Sequence, residues 1–149
     1  MVLFWALIIF LMDQGSKFLV DKNLEVFTSR PIIENFFHIT LLYNTGGAFG
    51  LFPGRTLILI GFTVVLFLLI FKYRHLFPQK AWWHKAALGL LVGGAAGNFF
   101  DRIFRGHVID FLDFQIWPVF NIADSAITGA IFLLFFQVFL DWRAESNER

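Results

Sequence analysis

The sequence predicts an all-α integral membrane protein: one domain, residues 1–149, of four transmembrane helices with a small extracytoplasmic β-strand region between helices 1 and 2. Three observations carry that prediction, namely an apolar composition, four apolar segments near spanning length, and a lopsided distribution of basic residues among the connections. Of 149 residues, 58% are hydrophobic and 22 are Phe, while only 15% are charged. A soluble domain this small leaves much of its surface in water, and 12 Lys and Arg with 11 Asp and Glu, gathered in a few stretches, could not cover it.

Crossing about 30 Å of hydrocarbon takes roughly 20 apolar residues in a helix rising about 1.5 Å per residue. Residues 2–20, 56–71, 83–100 and 122–140 meet or approach that length, each bounded by charges, Pro or Gly. The apolar start, Met1 to Met12, has no basic stretch before it and no small-residue cleavage site after it, so it is expected to be a retained helix rather than a removed leader.

Orientation follows from the connections. Loop 72–82 and the residues just after it hold Lys72, Arg74, Lys80 and Lys85 without an acid, which assigns that loop to the cytoplasm. Loops 21–55 and 101–121 mix both signs and are expected on the extracytoplasmic face, which leaves both termini inside. Trp82, Trp83, Trp117 and Trp142 fall near the predicted interfaces, where amphipathic rings are favoured. Within loop 21–55, the run from Asn35 to Tyr43 is rich in aromatic and β-branched residues and reads as strand. The Gly-rich run 44–50 that follows should turn sharply and let the backbone approach other groups closely.

Composition excludes several classes of function. A net charge of +1 without a concentrated basic face argues against nucleic acid as a partner. The absence of Cys removes thiolate nucleophiles, disulfides and Cys-ligated metal. No His-Glu-x-x-His is present, and His38, His75, His84 and His107 are scattered across both faces, so neither a metal nor any other cofactor is expected. A serine mechanism lacks a Gly-x-Ser-x-Gly, and only Ser16 and Ser125 lie near spans.

Ionisable groups in a span cost about 2.5 to 3.5 kcal/mol at a helix centre, so each one needs a reason. Asp13 and Lys17, at i and i+4 in the first span, share a face and can pair, either as a structural ion pair or as part of a site. In the third span, Gly93, Gly94 and Gly97 suit close helix packing. Asn98, Asp101 and Arg102 follow, and the last two could form an interfacial charge pair. Asp110 and Asp124 both fall at the extracytoplasmic surface; Asp124 also suits a helix start, where the macrodipole favours an acid. Two carboxylates near each other can hydrolyse a peptide bond without metal, one activating water while the other donates a proton. By elimination, aspartates are the best candidates for chemistry.

Five segments occur in the order and spacing of the lipoprotein signal peptidases: Asp13-Gln-Gly-Ser-Lys17, Asn44-Thr-Gly-Gly-Ala-Phe49, Gly93 to Arg102, Gly106-His-Val-Ile-Asp-Phe111 and Phe120-Asn-Ile-Ala-Asp-Ser-Ala126. The chain resembles that family, signal peptidase II, over most of its length. The resemblance implies an aspartyl endopeptidase of the bacterial cytoplasmic (inner) membrane, with Asp110 and Asp124 as the catalytic pair. Asp13, Lys17, Asn44, Gly94, Asn98, Arg102 and Asn121 would support the dyad or hold substrate, and Asp101 would be structural. The implied substrate is a diacylglyceryl-modified prolipoprotein cut just before its lipidated Cys, with membrane lipids and peptide inhibitors of the globomycin type as further partners and a monomer as the expected state. The outer strand region and Gly-rich turn would cover the substrate like a clamp. The connection from Asp110 to Asp124 is short for the family, which would alter the rim of the site, and Asp113 is expected to be dispensable. The alternative reading is a small transporter or channel subunit with Asp13, Lys17, Arg102 and Asp124 along a polar pathway. A conduit needs polar groups at several depths, whereas these motifs gather toward one face.

Overall fold

The computed structural model describes residues 1–47, 54–76 and 82–147. It contains helices α1 (Val2–Asn23), α2 (Thr56–Tyr73), α3 (Trp82–Phe104) and α4 (Ile122–Asn147), with strands β1 (Ser29–Ile33), β2 (Phe37–Asn44) and β3 (Val108–Asp113). A 3-10 turn, Arg74–Leu76, ends α2. The second half of the Gly-rich run (48–50) and Lys80 of the basic loop lie outside the described residues.

All four helices begin at or beside their predicted starts and run past their predicted ends. Leaving an apolar stretch does not end a helix when the next residues are themselves helix formers, as in Arg-Ala-Glu near the end of α4. α1 stops where Leu24 turns extended, its N–H still bonded to the Val20 carbonyl.

Three helical segments are long and apolar enough to cross a membrane: α1, α2 and Ile122–Leu140 of α4. α3 differs from the sequence expectation. Its glycines and its polar residues lower its hydropathy, and it is the packed helix of the bundle, lying against α1 and α4 with buried residues from His84 to Asp101. The bundle is inverted relative to a soluble protein. Small residues such as Ala87, Ala123 and Ala130 are fully buried, while Leu3 and Leu57 are 81% and 82% exposed. So much contiguous exposed apolar side chain suits lipid as the solvent.

Glycines set how closely α3 approaches its neighbours. A Cβ at Gly93 would lie 2.5 Å from the Ala6 carbonyl oxygen of α1, and one at Gly94 would lie 2.5 Å from the Ala123 carbonyl oxygen of α4. With no hydrophobic force between helices in lipid, such close backbone contact supplies the packing.

The three strands form one antiparallel sheet in the order β1-β2-β3. β2 lies where the aromatic run predicted a strand; β3, inside the predicted loop 101–121, was not anticipated. Alternation along β3 sends Ile109 and Phe111 into a cluster with Leu41 and the end of α1, and turns Val108 and Asp110 toward the opposite face.

Candidate active site

The start of α4 is held by a local reciprocal pair and by one sequence-distant carboxylate. Asn121 is the N-cap: its Oδ1 accepts the Asp124 N–H at 2.9 Å, while Asp124 Oδ2 accepts the Asn121 N–H at 3.3 Å. This reciprocal pair is a capping box with Asn at the cap and Asp three residues on. The Ala123 N–H is satisfied from α1, by Asp13 Oδ1 at 2.9 Å. Asp124 is thus a helix-start acid, as the macrodipole argument predicts, and it also faces a cavity.

Asp110 reaches the same cavity from the sheet. Asn44 pairs with Val108 across β2 and β3, and Asp110, two residues further along β3, is the diagonal neighbour on the same face. Asn44 Nδ2 donates to Asp110 Oδ2 at 2.8 Å, and Asn121 Nδ2 donates to Asp110 Oδ1 at 2.7 Å. One asparagine therefore bonds both aspartates. Burial pushes the Asp110 carboxyl up to about 7; the Asp124 charge adds to the rise, and the Asn44 and Asn121 bonds oppose it.

The cavity measures about 840 Å³. Asn44, Asn98, Arg102, Asp110 and Asp124 line it on the polar side, and α2, the start of α4, Phe114 and residues 116–120 contribute apolar walls. Of the remaining residues singled out from sequence, Gly94 sits at the α3–α4 contact, and Asn121, Asp13 and Lys17 are fully buried.

That buried layer is built around Lys17. Its Nζ donates to Asp13 Oδ2 at 2.7 Å and Asn98 Oδ1 at 3.0 Å, and lies 2.8 Å from Asp101 Oδ2. All three ammonium protons have an acceptor, which offsets the heavy desolvation of a 0% exposed lysine. Gly97 makes room: a Cβ there would collide with the Asp13 carboxylate.

Asp101 and Asp110, the two acids that spacing could not tell apart, separate in three dimensions. Asp101 is committed to Lys17, Gln14 and Arg105, and its Oδ2 accepts the Ile109 N–H at 3.4 Å. Asp110 and Asp124 face open space instead.

Gln14 and Arg105 were missed by sequence reasoning. Gln14 donates to Asp13, the Gly97 carbonyl and Asp101, and accepts from Arg105 at 3.0 Å. Four polar residues within five positions of an apolar span, and a base four residues after Asp101, were the available signals. Asp113, expected to be dispensable, is 8% exposed and accepts from Thr40 Oγ1 at 2.6 Å and from the Gln115 N–H at 2.9 Å.

Residues 5–140 match the family described as Signal peptidase (SPase) II. The lipoprotein signal peptidase of Desulfitobacterium hafniense (strain Y51) is 45% identical over 139 residues, covering 93% of this chain and 92% of that one. The Moorella thermoacetica lipoprotein signal peptidase is 42% identical over 144 residues, 96% of this chain and 95% of that one. Among solved structures, a bacterial membrane enzyme determined by the in meso method at 2.3 Å resolution aligns with a TM-score of 0.87 at 29% identity, covering 99% of this chain and 91% of that chain.

Proposed function

The chain belongs to the signal peptidase II family, and from that premise we propose that it cuts its substrate by an aspartyl mechanism centred on Asp110 and Asp124. It is a bacterial membrane protease that removes signal peptides from prolipoproteins. The observation that carries the mechanistic reading is the convergence of these two acids, from a strand and from a helix start, on one cavity through a shared Asn121.

Two carboxylates at one site keep a proton between them because like charges resist joint ionisation. Asp110, pushed up to about 7, holds that proton across the acid and near-neutral range. Asp124 then takes a proton from the attacking water while Asp110 gives its own to the carbonyl oxygen; as the C–N bond breaks, Asp124 passes the water proton to the leaving amine and Asp110 recovers its proton from a hydroxyl of the tetrahedral diol. Asn44 and Asn121 fix Asp110 from both oxygens, and Asn98 Nδ2 holds Asp124 Oδ1 at 2.8 Å. Arg102, on the cavity wall, provides positive charge near the developing oxyanion.

The substrate in this reading carries diacylglycerol on the Cys that follows the cut. Its signal helix and acyl chains remain in lipid while the scissile bond enters the polar side of the cavity. α3 counts as the fourth span, its polar residues screened by α1 and α4. The basic 72–85 connection lies in the cytoplasm, with both termini, and the site opens to the extracytoplasmic face. A conduit is disfavoured because the polar side chains gather at the sheet end of the bundle.

The test is cleavage of a diacylglyceryl-modified prolipoprotein by detergent-solubilised protein in the presence of a chelator, alongside Asp110→Asn and Asp124→Asn. Release of the signal peptide by the unmutated chain alone supports the aspartyl dyad. Wild-type-like turnover in either variant excludes it.

A further inference from the structure

Residues 113–119 form a loop whose base is pinned by the antiparallel bridge between Leu112 and Phe120. The Phe120 carbonyl accepts the Phe111 and Leu112 N–H groups at 2.9 and 2.8 Å, and the Phe120 N–H returns to the Leu112 carbonyl at 3.1 Å. The loop doubles back just after β3. Gln115 has φ +62°, and the Ile116 N–H donates to the Phe114 carbonyl at 2.7 Å across it, a γ-turn of the rare, strained hand. Such a conformation persists only when its surroundings impose it.

Asp113 ties this turn to the sheet. One oxygen accepts the Gln115 N–H at 2.9 Å, an Asx turn, and the other accepts the Thr40 hydroxyl at 2.6 Å. Thr40 and Asp113 are diagonal neighbours on one face of the sheet, since His38 lies directly opposite Asp113. The Thr40 and Ser29 hydroxyls are 2.8 Å apart, and Ser29 Oγ is 3.0 Å from His38 Nδ1, so the chain of hydrogen bonds runs across all three strands and ends on the turn.

What the turn aims is one wall of the candidate active-site cavity. Phe114, Ile116, Trp117 and Val119 line that cavity. Phe114 also packs on Phe37 and Phe120, with centroids 4.9 and 5.9 Å away, which joins the wall to the β1–β2 hairpin and to the residue preceding Asn121. Ile116 and Trp117 are 88% and 58% exposed, so the wall runs from the cavity to the apolar outside of the molecule.

We propose that Asp113 is a positioning residue for substrate, acting through the 113–119 loop: it holds an apolar wall in the shape that receives an apolar part of the prolipoprotein beside the scissile bond. The proposal rests on the peptidase reading above. Asp113 touches no reacting atom, and its effect is on substrate fit rather than on proton transfer. Two parts of the substrate have this chemistry, the acyl chains and the apolar side chains just before the cut.

The experiment compares Asp113→Asn and Thr40→Val with wild type on prolipoproteins bearing dipalmitoyl or dihexanoyl glycerol, and on a dipalmitoyl substrate with the apolar residues before the cut replaced by Ala. Thr40→Val removes the same bond from the β2 side without touching the loop, so it serves if Asp113→Asn folds poorly. The expected result is a KM raised about tenfold with kcat within about twofold. If the KM penalty shrinks for the dihexanoyl substrate, the wall receives acyl chains; if it shrinks for the Ala substrate, it receives the peptide. A loss confined to kcat, or equal penalties on all three substrates, overturns the proposal, as does wild-type behaviour of both variants. Failure of the wild-type protein to cut any substrate would instead remove the peptidase reading beneath it.

Discussion

Lys17 donates to the side-chain carbonyl of Asn98 at 3.0 Å, and this fixes which way the Asn98 amide points. With its oxygen occupied, Asn98 presents its NH₂ to Asp124 at 2.8 Å. A buried cation that never reaches the cavity therefore orients a donor that does.

Lys17→Met would strip that ammonium from between Asp13 and Asp101, both 0% exposed. Removing one partner from a buried charge network costs about 3–5 kcal/mol. We expect a clear fall in thermal stability in detergent, partly restored when Asp101→Asn is added, because that second change removes an acid left without its lysine. No recovery in the double variant would contradict the pairing.

Asn121 combines two roles that substitution can separate. Asn121→Ser keeps a good N-cap but is too short to reach Asp110, whereas Asn121→Ala loses both. The Ser variant should melt close to wild type yet turn over about a hundredfold more slowly, and the Ala variant should lose about 1 kcal/mol further. Equal turnover in Asn121→Ser and wild type would show that the Asp110 bond is unimportant.

At Gly94, an added Cβ would lie 2.5 Å from the Ala123 carbonyl oxygen, one residue before Asp124. Gly94→Ala must push α4 away from α3, and we expect at least about a tenfold loss of kcat from a displacement of ångström scale. Gly15→Ala, where nothing lies within 4 Å, serves as the silent control.

The pH profile follows from Asp110. Its folded pKa, about 7, is raised above the ordinary 3.8, so the folded protein binds this proton more tightly than the unfolded chain does. The favourable contribution to stability is fully present below 3.8 and is lost as pH rises to about 7. Activity needs that same proton, so kcat/KM should fall on the alkaline side from about pH 7. Asp110→Asn should flatten the stability profile between 3.8 and 7, measured by thermal denaturation across pH; an unchanged profile would place the titration elsewhere.

The helix starts, the strand from the aromatic run and the five polar motifs were legible in the sequence because they depend on local composition and spacing. Apolar runs near spanning length announce themselves, and so does an Asn-x-x-Asp at a helix head. β3 was not legible: Val108 to Asp113 is short, carries two acids, and becomes a strand only because β2 is there to pair with it. The difference between Asp101 and Asp110 was legible only through the family resemblance and not from the residues' own spacing. Both are acids within ten residues of one another, and nothing in their spacing says which will meet a lysine. Burial decided it. α1 brings Lys17 to Asp101 through the close approach that Gly93 and Gly97 allow, while the sheet turns Asp110 away from that cation and toward Asn44, Asn121 and the cavity. Sequence determined which residues carry charge into an apolar protein. Tertiary structure alone decided which of those charges are neutralised and which are left facing space where a substrate can meet them, because neutralisation in a low dielectric depends on contacts of about 3 Å that close only when distant segments pack.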